Sequence, residues 1–100
     1  MERRRRAVLL VHDEVRDEDG WRVIVKVWKV PVSVMSPHGV DYSLALIAPD
    51  GERTVGYDNH WPKGHHRHFL GEETLYAYHD IDRLIADFQA DVKRARRRRA

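Results

Sequence analysis

The hydrophobic pattern of this chain changes period once, and that change limits the folds open to it. Before His79, apolar residues alternate at every second position; beyond it they recur every three or four. In 21–30, Trp21, Val23, Val25 and Val27 share one face while Arg22, Ile24, Lys26 and Trp28 share the other. Segment 6–13 alternates too, with Ala7, Leu9 and Val11 opposed to Val8, Leu10 and His12. In 40–48, Tyr42, Leu44, Leu46 and Ala48 fall together, and in 52–58 Arg53, Val55 and Tyr57 do. A short extended piece at 65–70 follows, Gly71-Glu72-Glu73 turns the chain, and 75–78 can add another strand. Between these pieces stand turn signals: Asp17-Glu18-Asp19-Gly20, a loop at 31–39 opened by Pro31, Pro49-Asp50-Gly51, and a loop at 59–64.

The second period belongs to one helix. Ile81, Leu84, Ile85, Phe88 and Val92 form a single apolar stripe, Asp80 suits the N-cap, and Asp82 suits the positive end of the helix dipole. The pattern predicts an α+β fold: an antiparallel sheet of four to five strands with one C-terminal helix packed on a face. With 100 residues, no repeat and no Gly-, Ser- or Pro-rich linker, the chain reads as a single domain. It divides into a basic N-terminal arm (1–6), a core (7–92) and a basic C-terminal tail (93–100). A chain this short buries roughly 60–70 % of its unfolded surface. Stability is therefore expected to be modest, or shared with a partner or a second copy.

Several classes of function are excluded. The chain has no cysteine, so disulfides, thiolate metal sites and a Cys nucleophile are absent. No apolar run approaches the length of a membrane span. The apolar run 7–11 ends too early for a signal peptide, so a cytoplasmic protein is expected. The net charge of +2 conceals an asymmetry: ten of the 18 basic residues lie in 3–6 and 93–99, whereas 7–92 carries 8 basic and 15 acidic residues. Basic ends can follow nucleic-acid phosphate, pair with an acidic partner, or stay solvated.

The chemistry concentrates between Tyr57 and His68, where four of the seven histidines fall within nine residues. Tyr57, Asp58, Asn59, Lys63 and Arg67 lie among His60, His65, His66 and His68. Three readings compete. In the first, RNA is cleaved by its own 2′-hydroxyl: one imidazole removes the proton, another protonates the leaving oxygen, and a cation stabilises the phosphoryl charge. On a strand, His66 and His68 share a face, roughly 6.5–7 Å apart. Arg67 then points away unless a bulge intervenes, which makes Lys63 the better cation in the site. In the second, His66 and His68 with His60 or Asp58 hold a divalent ion, against the repulsion of Lys63 and Arg67. In the third, the histidines are structural and bond to backbone.

Tyr57-Asp58-Asn59 followed by Lys63-Gly64-His65-His66-Arg67-His68 resembles the TumE-like toxin family of bacterial type II toxin–antitoxin modules. The acidic turn Gly71-Glu72-Glu73 and the helix segment Leu84-Ile85-Ala86-Asp87-Phe88 extend the resemblance, which covers most of 21–92. It implies a toxin role and, as partner, a cognate antitoxin of helix-turn-helix type.

Residues and resemblance together predict a toxin acting on RNA as a metal-independent endoribonuclease without a cofactor. His66 and His68 would be general base and acid in unassigned order, and Lys63 and Arg67 would bind phosphate. Tyr57, Asp58, Asn59 and His65 would orient the histidines or the substrate. The rival expectation is a non-catalytic module that docks an antitoxin or nucleic acid through its basic ends and sheet edge. His12 and His38 read as isolated surface or turn residues. Trp28, between Lys26 and Lys29, reads as core or partner packing ahead of base stacking.

Overall fold

The structure is a computed structural model and describes residues 7–99. The arm at 1–6 and Ala100, the last tail position, lie outside them. Six strands form one antiparallel meander in sequence order: β1 (Val8–Arg16), β2 (Arg22–Lys29), β3 (Val40–Ile47), β4 (Arg53–Asp58), β5 (His66–Phe69) and β6 (Glu72–Leu75). Among the described residues one helix, α1 (Ile81–Arg99), follows the sheet and packs over β4. No helix among the described residues is long and apolar enough to cross a membrane.

The two-residue alternation sets the layers. Val27, Tyr42, Leu44, Leu46, Val55 and Tyr57 are buried on one face, where Leu84, Phe88 and Ala95 of α1 meet them. Among the described residues, no helix covers the other face. The expected α+β architecture is present, with one strand more than the upper expectation. The extra strand arises at the last hairpin. Phe69 pairs with Glu72, leaving Leu70-Gly71 as a two-residue turn with φ of 49° and 91°. Glycine takes such a φ without strain, and the leucine beside it is held there by its N–H, which bonds Thr54 O at 2.9 Å. The chain therefore turns one residue before the expected acidic turn, Glu72 and Glu73 belong to β6, and 76–80 is not a strand. β1 also runs further than expected, to Arg16, because it pairs with β2 up to the Asp17 turn.

Asp80 caps the helix as expected, its Oδ1 accepting from Arg83 N at 2.7 Å. The helix does not end at the arginine run but continues through it to Arg99. Ala95 is fully buried, and Arg96 pairs with Asp17 at 2.7 Å. Arg99 pairs with Asp50 at 2.9 Å and Glu52 at 2.8 Å. The acidic turns at one end of the sheet thus receive the cationic end of the helix.

Within the buried stripe stands one carboxylate. Asp91, whose side chain is 2 % exposed, accepts from Arg67 Nε at 2.6 Å, Arg67 Nη2 at 3.0 Å and Tyr57 OH at 2.6 Å. Arg94 joins from one turn on. Burial raises the Asp91 carboxyl's pKa, but the bonds from Arg67 and Tyr57 outweigh it and hold the group below the usual carboxylate range. Asp91→Ala strands the Arg67 guanidinium and is expected to cost about 3 kcal/mol, read from the urea midpoint. An unchanged midpoint would show that the pair does not tie the helix to the sheet. Because the folded pKa is depressed, the stability that Asp91 contributes is lost as pH falls through it. Asp91→Asn should flatten the acid side of the stability curve.

Candidate functional site

The register of β4 against β5 decides which side chains meet. Asp58 is opposite His66 and Gly56 opposite His68, on the open face; Tyr57 is opposite Arg67, on the helix face. His66 and His68 lie together as expected, with ring centroids 5.2 Å apart and planes at 72°. His66 is buried. Its Nδ1 is 2.8 Å from Gly64 O and its Nε2 is 3.0 Å from Asp58 Oδ1. Both ring nitrogens therefore face acceptors, and a neutral ring can satisfy only one of them. Asp58 is buried beside it and also lies 3.9 Å from Nδ1 of the exposed His60.

Two cations border this group. Lys63 pairs with Glu73, the cross-strand neighbour of His68. That pairing, chiefly the Lys63 hydrogen bond, holds the Glu73 carboxyl below its ordinary range. The second cation, Arg53, was expected on the face of Val55 and Tyr57. A register shift between Leu46 and Ile47 makes Leu46 face Val55 but Ile47 face Arg53, so Thr54 is an extra residue. The bulge turns Arg53 onto the open face, where its side chain lies over Gly56: a Cβ built there would meet Arg53 Nε at 3.0 Å. His68 responds to this surrounding. Burial, and then the Arg53 charge, lower its pKa from 6.5.

The remaining candidates lie elsewhere. Arg67 and Tyr57 are engaged with Asp91 under the helix, opposite the phosphate-binding and orienting places expected of them. Alternation explains this, since the bulge precedes Val55 and leaves β5 regular. Asn59 is buried and continues the sheet ladder with its side chain, accepting from Tyr42 N at 2.9 Å and donating to Val40 O at 2.7 Å. His65 points to the helix side. Its Nδ1 is 2.8 Å from Tyr42 OH, its Nε2 is 2.9 Å from His38 Nδ1, and its ring stacks on Tyr78. Burial, then His38, lower the His65 pKa. His38 is accordingly not isolated.

Asp58, His66 and His68 each offer a ligand atom, all within 4.8 Å of one another. That donor set suits zinc or a similar divalent ion, and a histidine whose Nδ1–H bonds a backbone carbonyl is a usual metal ligand. The His66 and His68 rings, flanked by Arg53 and Lys63, can instead face an oxyanion such as a phosphodiester, with Asp58 behind His66.

No curated protein matches the chain, and no solved structure does. A family model described as "Toxin TumE" matches residues 4–96. The match spans the whole sheet, the Tyr57–Arg67 and Asp58–His66 pairs and most of the helix, so the chain belongs to the TumE family and is the toxin component of a toxin–antitoxin pair.

Proposed function

We propose that this toxin is an endoribonuclease that works without a metal, with the open-face histidines as its acid and base. The observation that carries the reading is the pairing of two imidazoles with a buried carboxylate, bordered by Arg53 and Lys63, on the sheet face opposite α1. His68 is the base. It takes the 2′-hydroxyl proton, the 2′-oxygen attacks phosphorus, and the bond to the 5′-oxygen breaks. The Asp58–His66 couple returns a proton to that leaving oxygen, while Arg53 and Lys63 hold the phosphoryl oxygens. Tyr57, Arg67 and Asn59 serve by holding β4 and β5 in place, and the partner that restrains the toxin is an antitoxin of helix-turn-helix type. The chain is taken to act as a single domain in the cytoplasm.

The second reading keeps the site and changes the chemistry: a divalent ion on Asp58, His66 and His68, favoured by the convergence of their ligand atoms. Chelation separates the two. RNA cleavage by the purified toxin is expected to persist in EDTA; loss on chelation with recovery in zinc or manganese would establish the metal reading.

His68→Gln is expected to lower the cleavage rate by about 10²–10⁴-fold and to relieve growth arrest, with the far-ultraviolet circular dichroism unchanged. Arrest equal to the parent's would remove His68 from the mechanism and favour a non-catalytic docking module.

The pH profile tests the Arg53 assignment. A base works only unprotonated, and the His68 pKa is lowered from 6.5, so the acid limb should lie below that value. Arg53→Gln removes a positive neighbour and should move the limb to higher pH. An unmoved limb would show that Arg53 does not act on His68.

A further inference from the structure

Beside the histidines lies a cleft of about 320 Å³ that the proposed chemistry does not use. Its apolar walls include Val30, Met35 and Trp61, from the two loops at this end of the sheet, and its polar groups are Ser33, Ser36, Asp41 and His60. Mostly apolar walls with a few converging polar groups, at a size within roughly 300–1,000 Å³, are the usual form of a small-molecule site. His60 belongs both to this cleft and to the neighbourhood of Asp58, 3.9 Å from its carboxylate. His60 thus links the cleft to the carboxylate that holds His66.

We propose that this cleft binds a guanine base, with Trp61 against its face and the Asp41 carboxylate on its Watson–Crick edge. The proposal rests on the RNA-directed reading above and supplies the selectivity that reading lacks. Trp61 is 57 % exposed although it forms a wall of the cleft, leaving indole surface for a base to cover. Stacking on an indole favours any base; the choice falls to Asp41. The buried Ser36 hydroxyl lies 2.9 Å from Val40 O and 3.1 Å from Asp41 Oδ1, so its one proton is shared between them and leaves the Asp41 carboxylate with free acceptor positions toward the cleft. A carboxylate only accepts hydrogen bonds. Guanine alone presents two adjacent donors, N1–H and the N2 amino group, to both oxygens at once. Adenine and cytosine pair one amino donor with an acceptor that the carboxylate repels, and uracil sets its single donor between two carbonyls.

The test is binding, read apart from cleavage. Guanosine 3′-monophosphate and its adenosine, cytidine and uridine counterparts are titrated into the full chain, following indole N–H signals by NMR. The guanosine nucleotide should move the Trp61 signal and bind at least about tenfold more tightly than the others, the discrimination a bidentate pair supplies. Asp41→Asn keeps an oxygen for Ser36 and exchanges the other acceptor for a donor; it should bring the four affinities together. Trp61→Ala should weaken all four alike. Equal affinities in the parent, or a guanine preference that survives Asp41→Asn, would overturn the proposal. A guanine preference in a protein that cuts no RNA would uphold the cleft and refute the nuclease, whereas cleavage without any such preference would do the reverse.

Discussion

The contact between Arg67 and Asp91 decides the arrangement of everything around it. A carboxylate in the buried stripe of a helix needs donors, and here the planar guanidinium of Arg67 supplies two and the Tyr57 hydroxyl a third. The bond is made from within β5, a four-residue strand held between β4 and β6. Once Arg67 faces the helix, the period of two sends His66 and His68 to the other side. A slip of one residue would bury both histidines under α1 and expose the arginine. The ion pair thus fixes which face presents His66 and His68 and which presents Arg67.

The sheet consequently divides its labour by face. The helix side carries the core, the Asp91 cluster and the aromatic group of Tyr42, His65 and Tyr78. The open side carries Asp58, His66 and His68, and a single bulge adds Arg53 to them. The ends divide as well. The hairpin turns at one end hold the arginines of the helix C-terminus, and the longer loops at the other form the cleft next to the histidines. The acidic body and the basic end of the chain are, in this part of the molecule, partners of each other.

Much of this was legible in the sequence because it follows from period alone. The alternating segments gave the strands, the stripe from Ile81 to Val92 the helix, and the His-x-His spacing the shared face of His66 and His68. What escaped depends on single residues that leave the pattern intact. The extra residue at Thr54 moves Arg53 between faces with no mark in the hydrophobic alternation. Asp91 reads as a solvated helix residue unless its distant partner on β5 is known. Asn59 lies in a motif that reads as chemical, yet its amide takes the place of a strand's backbone. The arginine run has the composition of a solvated tail; Ala95 within it, three positions beyond Val92, is the one apolar sign that the packed stripe continues.

The account of an open-face site driving attack by the 2′-hydroxyl is tested most directly by the ends it leaves on RNA. Cleavage products made in EDTA by the purified toxin can be resolved by mass spectrometry. Attack by the 2′-oxygen predicts 2′,3′-cyclic phosphate and 5′-hydroxyl termini. Products ending in 3′-hydroxyl and 5′-phosphate, or RNA left intact, would contradict it.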